Sequence, residues 1–187
     1  MRLKINIEDI KGFTLINTNK IKKAGEELEI IVNGKLFRKM FLAADFNGET
    51  STFKNWTRTK LFDYMMTGAE VLNPVTDNTA NIAVKAYYTF RGVIGYTKHN
   101  IKHMYLNVKF MGRPRHKIAA TLMHEWGHKL GFGHDFRRTY RRQFSICYQL
   151  GTIVEVCYAA HFPHAELNTP TKRNILSRIG LFFKNLF

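Results

Sequence analysis

The chain predicts an α+β domain in which short strands precede one dominant helix. Three observations carry this expectation. Strand-like runs cluster in residues 1–53 and 82–111. Apolar residues recur at helical spacing in Trp56 to Leu72, Ile118 to Leu130 and Gln149 to His161. At 187 residues, 45% of them hydrophobic, the chain has the size and composition of one globular domain with its own core. Its expected bounds are 1–168, followed by a tail over 169–187.

Taken in order, Leu3-Lys4-Ile5-Asn6-Ile7 alternates apolar and polar residues with the period of a half-buried strand. Leu28-Glu29-Ile30-Ile31-Val32 alternates less cleanly and reads as another, with Asn33-Gly34 as a tight turn after it. The first 53 residues are therefore expected to be β-rich. Phe37 to Phe46 fits a strand or a short helix equally well. In Trp56 to Leu72 the residues Leu61, Phe62, Met65, Met66 and Val71 mark one helix face, and Asn73-Pro74 is its expected stop. Ile82 to Phe90, Val93 to Thr97 and Met104 to Met111 read as strands. Arg113-Pro114-Arg115 interrupts the pattern, and Ile118 to Leu130 follows as the strongest helix, with Gly131 at its end. An arginine-rich loop then leads through Phe144 to Tyr148 into a second apolar helix, which Phe162-Pro163 ends. Asn168 to Pro170 reads as a linker. The tail sets Ile175, Ile179, Phe182 and Leu186 against Lys172, Arg173, Arg178 and Lys184, the pattern of a basic amphipathic helix.

The formal charge of +15 is concentrated at Lys20 to Lys23, Arg113 to Lys117, and Arg137, Arg138, Arg141 and Arg142. It favours an anionic partner: nucleic acid, a cell-wall polymer or a membrane surface. No nucleic-acid module with its required spacing accompanies it. Cys147 and Cys157 are the only cysteines, which excludes a disulfide framework. Met1 to Gly12 carries Glu8 and Asp9 without the apolar run of a secretory leader. No stretch reaches the roughly 18 apolar residues needed to cross a bilayer. Synthesis in a cytoplasm is the expectation, and a virion-associated location is compatible with it.

The densest chemistry lies between His124 and Asp135. On a helix, His124 and His128 are four residues apart and project from one face, where they can grip one cation. Glu125 neighbours the first histidine and can reach a water held by that cation. Gly131 can take the left-handed conformation that reverses the chain, bringing His134 back as a third nitrogen ligand. Three protein ligands and an open position describe a catalytic zinc site rather than a structural one. His99 and His103 fall in a strand-like region and read as surface residues. Cys157, His161 and His164 form a looser group, read as a packed helix end rather than a second metal site.

This pattern, HExxHxxGxxH followed by Asp135, resembles the signature of the metzincin zinc metallopeptidases. The stretches Val93-Ile94-Gly95-Tyr96 and Ser145-Ile146-Cys147-Tyr148 look, more narrowly, like small matrixin-like peptidases of bacteria and phages. The resemblance implies a zincin fold: a twisted mixed sheet with an antiparallel edge strand, then the active-site helix. It implies that His124, His128 and His134 bind one Zn²⁺ and that Glu125 is general base and acid. Asp135 would buttress the third ligand. Metzincins place a methionine turn beneath the metal; here Ser145-Ile146-Cys147 stands at that place, with the smaller Cys147 as its floor. Tyr148 would serve as an oxyanion donor, although as an ordinary core tyrosine it needs no such role.

The leading expectation is therefore a zinc-dependent endopeptidase whose substrate extends along an edge strand within Val93 to Asn100. The arginines after His134 suggest tolerance of acidic substrate residues. One alternative is a non-catalytic, zinc-stabilised structural or polyanion-binding protein, virion-associated proteins among them. Another is hydrolysis of peptide cross-links in a cell wall.

Overall fold

The sheet is short and mixed. In the computed structural model, which describes residues 1–162, β1 (Lys4–Lys11) pairs in parallel with β2 (Thr79–Tyr87). Strand β2 pairs in parallel with β4 (His103–Asn107), and β4 pairs antiparallel with the two-residue edge strand β3 (Gly95–Tyr96). The order β1-β2-β4-β3 leaves β3 at one edge. Five helices complete the α+β architecture: α1 (Leu15–Val32), α2 (Lys35–Ala43), α3 (Arg58–Met66), α4 (Arg115–Lys129) and α5 (Ile146–His161). The mixed sheet with its antiparallel edge is as expected. No helix among the described residues is long and apolar enough to cross a membrane. The linker, the basic tail and His164 lie outside the described residues.

The N-terminal part corrects the sequence reading. Residues 1–53 are mostly helical rather than β-rich, with β1 their only strand. The alternation across Leu28 to Val32 yields to a longer pattern. Ile21, Ala24, Leu28 and Ile31 recur at helical spacing and are all buried, so α1 runs through the segment to Val32. Asn33 then ties the end of α1 to the start of β1: its amide donates to the carbonyls of Leu3 and Glu29 at 2.8 Å, and its Oδ1 accepts from the Leu3 N–H. Asn33-Gly34 is thus a turn between helices, and the ambiguous Phe37 segment is helix α2, burying Phe37, Met40 and Phe41. The next helix is shorter than its apolar spacing suggests. It ends at Thr67, whose hydroxyl donates to the Tyr64 carbonyl, and Gly68 (φ 76°) turns the chain before Asn73-Pro74 is reached.

Helix α4 packs against α1 and α5 and touches β2, β3 and β4. Its buried face combines apolar packing with ion pairing. Trp126 is fully buried, and its indole N–H donates to Glu70 Oε1 at 2.9 Å. Lys129, 2% exposed, pairs with Glu70 Oε2 at 3.1 Å and donates to the carbonyls of Ile101 and Lys102. The Val71 N–H donates to the Lys129 carbonyl at 2.9 Å. One lysine therefore joins the C-terminal turn of α4 to the chain on both sides of it. At the other end, Arg115 pairs with the buried Glu27 at 3.1 Å.

Replacing Lys129 by Met leaves the Glu70 carboxylate buried without its cation and two carbonyls without a donor. We expect a loss of about 3–5 kcal/mol in folding stability, and adding Glu70→Gln should recover part of it. Guanidinium denaturation of the two variants checks both numbers.

Candidate metal centre

The three histidines of the sequence pattern converge. His124 and His128 rise from one face of α4 with ring centroids 5.1 Å apart, and the His134 ring lies 5.5 Å from the first and 4.8 Å from the second. Their ligating nitrogens lie within 4.8 Å of one another, and among the described residues they are the one group able to hold a metal ion. The third ligand depends on the reversal after α4. Gly131 adopts φ 93°, strained for any residue with a Cβ, and its N–H closes onto the His128 carbonyl at 3.0 Å.

Hydrogen bonds orient the rings. His128 Nδ1 donates to the Phe132 carbonyl at 2.9 Å, and His134 Nδ1 donates to the Asp135 carbonyl at 3.0 Å. In both residues Nε2 is left with a free lone pair, the tautomer a metal ligand needs. Burial lowers the pKa of all three: His124 well below 6.5, His128 to about 4, and His134 downward. Neutral imidazoles with converging ring nitrogens fit a borderline-soft divalent cation.

Glu125 stands beside this triad, 5% exposed. Burial pushes its carboxyl up to about 8, against a hydrogen bond from the Thr97 backbone that favours the charged form. Its Oε2 is buried with no hydrogen-bond partner. An orphaned carboxylate oxygen is costly unless something else satisfies it. A cation between the histidines, and the water it carries, would do so.

Cys147 and Tyr148 sit in the first turn of α5, which Ser145 caps by accepting from the Tyr148 N–H at 3.4 Å. The thiol is fully buried behind His128, 3.4 Å from Nδ1 and 3.6 Å from the Phe132 carbonyl. Burial raises its pKa well above 9, so it is a neutral packing group on the far side of the ring. Gly127 makes room for it: a Cβ there would lie 3.1 Å from the sulfur. The Tyr148 ring packs edge-on to His124 at 4.6 Å and against His134 at 5.0 Å, placing the phenol at the mouth of the cluster. Asp135 accepts from the Thr139 hydroxyl at 2.8 Å and so braces the loop after His134.

Sequence reasoning missed Glu49. This carboxylate, 6% exposed, accepts from the N–H groups of Gly133 (2.6 Å) and Ser51 (3.1 Å) through Oε1, and from Ile146 (3.1 Å) through Oε2. It thereby joins the loop bearing His134 to the start of α5, bearing Cys147 and Tyr148. Its only local signal is a polar turn around Asn47-Gly48, and no spacing connects residue 49 with residues 133 or 146.

The remaining candidates lie elsewhere. His99 is exposed; His103 is half-buried and bonds Asp9 at 2.9 Å across β2, with small Ala83 between them. Lys11 and His103 together hold the Asp9 carboxyl below its usual range. Cys157 packs against the Met40 sulfur, and His161 packs edge-on against Phe162.

The triad opens onto a cleft of about 1530 Å³ walled by residues 92–97, α4, the arginine loop and α5. No family model, no curated protein and no solved structure matches this chain.

Two predictions test this geometry. The histidines favour the fold fully above 6.5 and lose that contribution as pH falls toward about 4. Glu125 favours the fold when protonated and loses that contribution as pH rises from 4.5 through about 8. Chelator-treated protein should therefore melt highest near the histidine value of 6.5, and Glu125→Gln should remove the alkaline decline. Melting temperature against pH in the presence of a chelator measures this. In Glu49→Ala, three N–H groups lose their acceptor and His134 loses its support; affinity for a divalent cation, with zinc as the probe, should fall about 10–100-fold, read by competition with a chromophoric chelator.

Proposed function

We propose that the protein is a zinc-dependent endopeptidase of metzincin type. The observation that carries this reading is the unpartnered Glu125 Oε2, buried beside three neutral histidines and open to a cleft. A structural zinc site needs no such carboxylate. The HExxHxxGxxHD pattern, the mixed sheet with an antiparallel edge and the packing of Cys147 behind His128 are consistent supports.

His124, His128 and His134 would hold the ion. Zinc bound there would polarise a peptide carbonyl and lower the pKa of a bound water toward about 7. Glu125 accepts a proton from the attacking water and returns it to the leaving amine. Its buried setting, which resists ionisation, keeps its basicity near neutral pH. The Tyr148 phenol, its pKa raised by burial and thus protonated at neutral pH, can donate to the oxyanion that forms on the carbonyl. Among the described residues strand β3 has one edge without a partner strand, and it lines the same cleft, so an extended peptide can add to it main chain to main chain. Exposed Val93, Ile94 and Tyr96 would meet its side chains.

Zinc-loaded protein incubated with a diverse peptide library, read by mass spectrometry, tests this. Wild type should cleave, and Glu125→Gln should bind zinc with the same stoichiometry while losing about 10²–10⁴-fold in rate. Unchanged cleavage by the variant would overturn the mechanism.

A further inference from the structure

Three cations on helix α4 are matched to carboxylates. Lys129 pairs with Glu70, Arg115 with Glu27, and Lys117, on the cleft wall, with Glu155 at 2.8 Å. Arg142 is not matched in this way. It lines the cleft and lies within a 3-10 turn (Tyr140–Phe144) that delivers the chain into α5. Among the described residues its guanidinium meets no carboxylate: Nη1 donates to the Phe136 carbonyl at 3.2 Å, and Nε is buried with no acceptor.

Its position gives the unsatisfied donor a meaning. The guanidinium carbon lies 4.9 Å from the centre of the Tyr148 ring, which itself packs on His124 and His134. A fixed cation this near a metal-binding triad opposes metal binding and needs a compensating role. Arginine presents a planar fork of donors that matches a carboxylate in two-point contact. Partial burial strengthens such a contact relative to one in bulk water.

We propose that Arg142 is the specificity-determining residue of the cleft and that the substrate carries a carboxylate beside the bond to be cleaved. This rests on the peptidase reading above and narrows it to peptides with an anionic group at that position. The carboxylate has two chemical sources: an internal aspartate or glutamate side chain, or a free C-terminus. Arg113, in the same cleft, is a weaker candidate, because its donors already meet the Phe110 carbonyl and the Thr121 hydroxyl.

Binding separates these cases without relying on turnover. Zinc-loaded Glu125→Gln protein is titrated with three fluorescent peptide pools, alike except for one group: internal Glu with blocked ends, internal Gln with blocked ends, and internal Gln with a free C-terminus. One carboxylate pool should bind at least about tenfold tighter than the fully blocked Gln pool, and which one names the source. In Arg142→Met the ratio should fall to about one; Arg142→Lys, which keeps the charge but not the fork, should retain part of it; exposed Arg137→Gln should leave it intact. Equal binding of the three pools, binding of none, or a preference that survives in both Arg142 variants overturns the proposal. Carboxylate-selective binding by a wild-type protein that cleaves none of the pools leaves Arg142 in this role and removes the peptidase reading. Cleavage without selectivity does the reverse.

Discussion

A single helix can offer only two histidines to one ion. Residues four apart share a face, but the next position on that face, eight residues on, lies too far along the axis to close a small coordination sphere. The third ligand must come from chain that has left the helix and turned back. Gly131 provides the turn, in a backbone region closed to most side chains, and His134 arrives three residues later. Much of the surrounding structure serves to hold that return. Glu49 takes the Gly133 N–H on one oxygen and the Ile146 N–H on the other, so the loop and the next helix move as one body. The carbonyl of Phe132, inside the reversal, accepts from His128 and sets its ring.

The two faces of α4 solve opposite electrostatic problems. On the inner face, Lys129 and Trp126 share the two oxygens of Glu70, and two loop carbonyls complete the lysine's bonds. Every charge there is answered within the protein, which makes the helix a rigid platform. On the cleft face, Glu125 is buried with an oxygen unanswered and Arg142 with a nitrogen unanswered. Unsatisfied buried polar groups beside a histidine cluster are destabilising by themselves. They make sense if ligands complete them, a cation and its water near the glutamate and an anion near the arginine.

Cys147 shows how the floor beneath the triad tolerates a small residue. A cysteine leaves more space than a longer thioether would, and Gly127 on α4 lets α5 approach until that space is filled. Because burial keeps the thiol protonated and the Nδ1 side of His128 faces it, the sulfur packs against the ring without competing for the ion. The same approach carries Tyr148 over His124 and His134, so the floor and one wall of the cleft come from a single helical turn.

Some of this was readable from residue order. Local periodicity identified α4 and α5, the turn residue Gly131 marked where the ligand helix stops, and i,i+4 spacing placed two histidines together, because these depend on neighbours within a turn or two. The same local reasoning failed at Leu28 to Val32, where a five-residue alternation was weaker than the eighteen-residue helical pattern containing it. It stopped α3 too late for a similar reason: Val71 looked like helix face, yet its N–H is spent on the Lys129 carbonyl. What residue order left open was everything that depends on distant chain meeting in space. Glu49 is 84 residues from Gly133 and 97 from Ile146, and nothing in their spacing announces the contact. Arg142 was one of several loop arginines until packing set its guanidinium over Tyr148 with Nε buried and unanswered. Ligand identity is a matter of residue type and short-range geometry, and so was written locally. The protonation, support and selectivity of those ligands depend on burial and on long-range partners, which only the folded chain supplies.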